Sequence, residues 1–210
     1  MSKNCKELHK IFNSLPRKKF PFNEKEILEN GIYILFEKGE KGHEVDRVVR
    51  IGTHTGKNQL RSRLRQHFVN ENKDRSIFRK NIGRALLNKN KDIFIEQWEI
   101  DLTTKEAKNK FLSKIDFNKK NEIEKKVSEY IRKNFEFVII PIEDKEKRLE
   151  TESRLISTIS LCKECGPSKN WLGKFSPKDK IKESGLWLVN ELYKEPFDEI
   201  SILRFKTMIK

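Results

Sequence analysis

Two apolar runs rich in β-branched and aromatic residues, GIYILFEK at 31–38 and FEFVIIPI at 135–142, stand on either side of a long, highly charged middle. Runs of this length and composition, bounded by turn formers, read as buried strands, so the fold must bring together segments far apart in the chain. GEKGHEVD follows the first run as a Gly-rich hairpin connection, and RVVRIG at 47–52 returns as an antiparallel partner.

The rest of the pattern is mostly helical. Residues 1–30 read as an N-terminal extension, a short helix around Cys5 to Leu15 followed by turns at Pro16 and Pro21. QLRSRLRQHF places Leu60, Leu64 and Phe68 at i, i+4, i+8, an amphipathic helix flanked by arginines. SIFRKNIGRALLNK continues as a second basic helix, with IFIEQWEI at 93–100 as a short strand after it. From Thr103 to Lys133 the lysine- and glutamate-rich stretch, with Ile123, Val127, Tyr130 and Ile131 at helical spacing, predicts a helical insertion. Leu149, Leu155, Ile156 and Ile159 predict a helix from Lys145 to Leu161, and GPSKNWLGKFSP at 166–177 a loop. The segment 176–210 reads as a C-terminal extension packed on the domain, with a helix near Gly185 to Tyr193 and a short strand, ISILRF. The expected fold is α+β: a small mixed or antiparallel three-stranded sheet flanked by helices, with the main domain at 31–175.

Fourteen Phe and three Trp argue against wholesale disorder even though 37% of the residues are charged. The formal net charge is +14, an excess that attracts polyanions and makes nucleic acid the expected partner. It is concentrated between Lys57 and Lys91, where eleven lysines and arginines face only Glu71 and Asp74. Lys57, Arg61, Arg65, Arg75, Arg79, Lys80 and Arg84 are the residues expected to grip a phosphate backbone. Residues 176–210 balance seven basic against six acidic groups and form no general polyanion arm.

No run approaches the roughly 20 apolar residues of a membrane span, and MSKNCKELHKIF lacks the apolar stretch of a secretory signal. A cytoplasmic protein is expected. Cys5, Cys162 and Cys165 are too few and too unevenly placed for a disulfide framework. Cys162 and Cys165 form a lone CxxC with no second pair or histidines at ligand spacing nearby, so they read as two half-buried thiols rather than a zinc site.

Five elements occur in a telling order: GIY at 31–33, RIG at 50–52, LRSRLRQHF at 60–68, ETESRLI at 150–156, and Asn170 in SKNWLG. The chain resembles the GIY-YIG nuclease family over roughly residues 31–173. The resemblance implies a divalent-metal-dependent endonuclease acting on double-stranded DNA. Tyr33 would help to activate the attacking water, Arg63 contact the scissile phosphate, and Glu152 be the protein ligand of Mg²⁺ (or Mn²⁺), with Glu150 as a rival. His67, one helical turn after Arg63, would assist the tyrosine or the water, and Asn170 order the site.

Each residue type suits its role. An arginine fork matches phosphate oxygens and stays charged, and a carboxylate gives a hard oxygen to a hard cation. A phenol of pKa about 10 needs nearby positive charge to act as a base.

One departure stands out. Arg50 takes the place of the tyrosine in the family's second motif, and Thr53 and His54 stand where a lysine is often found. Arg50 could bind phosphate or act on Tyr33, and His54 could take over part of the work. Within the family, a stand-alone layout with an insertion is closest to restriction-type enzymes and leaves room for a homodimer. The alternative is a catalytically weakened member that binds nucleic acid.

Overall fold

The computed structural model describes residues 2–209. Its elements in chain order are α1 (Ser2–Ser14), β1 (Lys18–Lys19), β2 (Ile32–Gly42), β3 (Val45–Gly52), α2 (Leu60–Phe68), α3 (Ile77–Lys89), α4 (Ile95–Glu99), α5 (Lys105–Phe111), α6 (Phe117–Asn134), β4 (Phe135–Ile140), α7 (Lys145–Ser160), α8 (Asp179–Ser184) and α9 (Glu199–Met208). The strands form one antiparallel sheet in the order β1-β4-β2-β3. The class is α+β, as expected, with a fourth strand of two residues added by Lys18 and Lys19 pairing with β4.

Alternation along the central strands sends their apolar side chains to two cores. Tyr33, Leu35 and Phe137 join Leu64 and Phe68 of α2, Ile82 of α3 and Val127 and Ile131 of α6. Ile32, Ile34, Val138 and Ile140 join Leu8 and Phe12 of α1, Leu155 and Ile159 of α7 and Ile202 and Phe205 of α9. Each such side chain contributes about 1.5–3 kcal/mol by leaving water, and the sheet is thereby clamped between two helical layers. The edge strand β3 is where side chains from both layers meet. No helix of the described residues is long and apolar enough to cross a membrane.

Three local expectations are corrected. IFIEQWEI forms a helix at Ile95–Glu99, not a strand: Asp92 accepts from the Phe94 amide in the turn that leads into it, and Phe94 and Trp98, four apart, are both buried while Ile93 is exposed. ISILRF lies within helix α9, capped by Asp198 accepting from the Ser201 amide, with Ile202 and Phe205 buried. No helix spans Gly185–Tyr193. Gly185 ends α8 in the left-handed conformation, φ 69°, and the following residues run in irregular backbone against β3, the Trp187 amide donating to the Val49 carbonyl at 2.7 Å.

The second helix of the expected insertion, α6, is part of the core. Its Glu124 is buried in an ion pair with Arg79 of α3 at 2.7 Å.

Candidate active site

Tyr33 opens the body of β2 opposite Gly52, the last residue of β3. A Cβ on residue 52 would sit 2.2 Å from the Tyr33 hydroxyl, so the glycine is what lets the phenol lie across the neighbouring strand. That hydroxyl is 2.8 Å from His67 Nε2, and Arg50 Nε donates to it at 3.4 Å. Arg50 is an obligate donor, which leaves the phenolic proton for His67 Nε2. His67 Nδ1 in turn is 2.7 Å from Ser76 Oγ, the N-cap of α3. Burial, then the charges of Arg50, Arg63 and Arg79, hold the His67 imidazole well below its ordinary pKa, so it is neutral and able to accept. Neither Tyr33 nor His67 has exposed surface.

Arg50 is tied down on its other side, Nη1 donating to the Trp187 carbonyl, and its guanidinium lies 5.3 Å from the Phe78 ring centre. It lines a cleft of about 470 Å³ together with Arg63, Asn81, Glu152, Leu188, Asn190 and Glu191. Arg63 also borders a second hollow, of about 270 Å³, with Thr53, His54 and Gln59.

Glu152, midway along α7, accepts the Thr53 amide on Oε1 at 2.9 Å and makes no ion pair among the described residues. Burial pushes its carboxyl up to about 7, against the opposing pull of Arg50 and the Thr53 amide. A half-buried carboxylate with one amide donor and no ion pair among the described residues is a donor that fits a divalent cation. Glu150 is exposed, faces Arg154 at 3.7 Å and does not line the cleft. Arg148 is spent on the carbonyls of Ile142, Glu143 and His54 and does not pair with Glu152.

Arg63 is half-buried, bonded to Gln66 Oε1 at 3.1 Å and to no carboxylate among the described residues. A guanidinium with spare donors at a cleft is suited to an anion. His54 has Nδ1 on the Gly56 carbonyl at 2.7 Å while Nε2 is buried without a partner, and burial lowers its pKa.

Other placements depart from expectation. Arg79 is fully buried on Glu124 and Ser128, Lys80 donates to the Glu99 carbonyl, and Arg84 makes a two-pronged pair with Glu99 at 2.5 Å. These three cations of α3 are internal and are removed from the phosphate-binding surface. Arg61 is half-buried on the Ile27 carbonyl and Arg65 pairs with Glu24, leaving Lys57 and Arg75 as exposed cations of that set.

Asn170 is exposed, makes no side-chain hydrogen bond among the described residues, and does not line the cleft; its neighbour Trp171 is the buried one, donating to Glu37 at 2.7 Å. Two other asparagines do line it. Asn190 lies on the wall that follows Trp187, and Asn81 projects from α3 with Oδ1 held by Arg84 at 2.7 Å and Nδ2 lacking a partner. Asn190 lies in a segment whose sequence predicts a helix, and Asn81 on a helix whose sequence points to its apolar and basic residues. The LWLVN run after Gly185 was the available signal for the first.

The arrangement thus joins a buried phenol, a neutral imidazole behind it, a free guanidinium and an unpaired half-buried carboxylate around one edge strand, an array suited to proton transfer and anion binding beside a hard cation. No curated protein and no solved structure matches the chain. A family model described as a GIY-YIG domain matches residues 7–210, nearly the whole sequence and well beyond the motif-bearing region. With the match extending over both helical layers, the chain belongs to the GIY-YIG nuclease superfamily.

Proposed function

We propose that this protein is a divalent-metal-dependent endonuclease that hydrolyses phosphodiester bonds of double-stranded DNA. The observation that carries the reading is that Arg63 and Glu152 line one cleft, a guanidinium bound to no carboxylate beside a half-buried carboxylate in no ion pair among the described residues. Arg63 would engage the scissile phosphate through its fork and hold its charge as negative charge builds. The unpartnered Asn81 amide is a second donor on the same wall. Glu152 would hold Mg²⁺ or Mn²⁺, which when bound polarises a phosphoryl oxygen and offsets developing charge. Tyr33 would take a proton from water while passing its own to His67 Nε2, a relay supported by the 2.8 Å contact. Because Tyr33 has no exposed surface, the relay requires Arg50 or the Leu188–Glu191 wall to shift when substrate enters. His54, neutral and with a partnerless Nε2, is the rival base.

The test is cleavage of plasmid DNA with Mg²⁺ by the wild type and by Tyr33→Phe, His54→Ala, Arg63→Ala and Glu152→Ala. Loss in Arg63→Ala and Glu152→Ala supports the reading, and the more damaging of the first two identifies the base. Equal rates in all five proteins would sink it. DNA binding without cleavage of any substrate would favour the binding-only reading suggested by Arg50. A restriction-type role rests on family analogy. Digestion of unmethylated genomic DNA decides it, discrete bands supporting restriction and a smear opposing it.

A further inference from the structure

All three cysteines of the chain meet at one place, away from the nuclease cleft. Cys5 comes from α1, and Cys162 and Cys165 from the loop after α7. Cys5 Sγ and Cys165 Sγ are 3.4 Å apart, and Cys162 Sγ is 3.4 Å from Nε2 of His43, at the tip of the β2–β3 hairpin. The candidate ligand atoms of Cys5, His9, His43 and Cys165 all lie within 4.8 Å of one another. From Glu152 to Cys162 is about 15 Å of helix rise, so the two sites share α7 without sharing atoms.

We propose that Cys5, His43, Cys162 and Cys165 form a structural zinc site that fastens α1, the β2–β3 hairpin and the end of α7 together. The donor set is soft, three thiols and one imidazole, which selects Zn²⁺ over the hard cations that suit Glu152. Tetrahedral zinc with Zn–S near 2.3 Å places its sulfurs about 3.8 Å apart, close to the separation found. A disulfide needs about 2.05 Å, and the three cysteines are free.

His9 is in the cluster but is otherwise engaged. Its Nδ1 faces the Cys5 carbonyl at 2.9 Å and its Nε2 accepts the Val48 amide at 3.2 Å, so it props the helix rather than offering a lone pair to the ion.

Two backbone features fit the assignment. His43 sits in the left-handed region, φ 53°, where the non-glycine residue is held at the tip facing Cys162. At Gly42 a Cβ would come within 3.0 Å of Cys165 Cβ, so the glycine admits the thiol-bearing loop to the hairpin. Cys162 and His43 are half-buried and leave the ion a route in.

The test uses the full chain prepared under reducing conditions with zinc, dialysed without chelator, and assayed for metal by mass spectrometry. About one zinc per chain is expected in the wild type and in Glu152→Ala, falling about tenfold or more in Cys162→Ser/Cys165→Ser. Cobalt titration of zinc-stripped wild type is the second measurement and does not depend on the folding of the double variant. Tetrahedral ligand-field bands with thiolate-to-cobalt charge transfer, lost on adding equimolar Zn²⁺, support the site. Absence of zinc together with absence of that charge-transfer band overturns it, as does a Cys5–Cys165 disulfide in the reduced preparation. None of these readouts depends on cleavage, so the zinc site and the nuclease stand or fall separately.

Discussion

The Tyr33 hydroxyl and His67 Nε2 are 2.8 Å apart and both side chains are sealed from solvent, which makes the pair a single proton-handling unit. Tyr33→Phe and His67→Ala should each lower the cleavage rate by about 10²-fold or more, with the double variant hardly slower than either alone. Rates from the double-mutant cycle check this; multiplicative losses would mean that the two act independently.

Gly52→Ala should damage both stability and cleavage, because its Cβ would meet the Tyr33 ring and hydroxyl within 2.4 Å. A loss of about 1–3 kcal/mol is expected, as for other overpacked sites. Thermal melts alongside cleavage rates report it, and a variant as stable and active as wild type would show that the ring has room to move.

Glu152→Gln should stabilise the protein at pH 8 in chelator while abolishing metal-dependent cleavage. The folded-state pKa, raised by burial to about 7, exceeds the ordinary value of 4.5. For an acid with a raised pKa, the unfolded chain releases its proton first, so metal-free stability is full below about pH 4.5 and declines as pH rises to about 7. The penalty above pH 7 is on the order of 1–3 kcal/mol after allowing for residual solvent. Melting curves of both proteins at pH 5 and pH 8 in chelator measure it. Convergence at pH 5 and separation at pH 8 is the expected pattern.

The exposed and buried cations should part company in DNA binding. Arg75→Ala or Lys57→Ala should each reduce the slope of log affinity against log salt by about 1 with little change in melting temperature. Arg79→Ala should instead cost roughly 3–5 kcal/mol of stability, because Glu124 is left buried and unpaired. Salt titrations of binding to a short duplex, together with urea unfolding, separate the two classes.

Much of this was legible from local patterns. Tyr33, Arg63 and Glu152 sit on a buried strand and two helices whose periodicity is plain, so their elements followed from residues within a few positions. The misreadings share one cause, reliance on partners distant in sequence. Arg79 and Arg84 look like surface cations until Glu124 and Glu99 are found 45 and 15 residues away. Short apolar runs such as IFIEQWEI and ISILRF fit either period, and the Asp92 turn before the first and the Asp198 cap of the second tip them to helix. Asn190 reaches the cleft because Trp187 is held to Val49, Arg50 and Glu37, contacts between segments some 140–150 residues apart. The CxxC at 162–165 gains Cys5 and His43 only through the same long-range packing.

The docking of Trp187 on β3 also sets a timetable. Glu152 leaves the ribosome well before Leu188–Glu191, the wall that completes its cleft. Phe205, which packs against Phe12 of the first helix, follows later still. A chain growing from its N-terminus therefore exposes its charged residues with the cleft half built. The cleft closes only once residues 188–191 have docked beside β3.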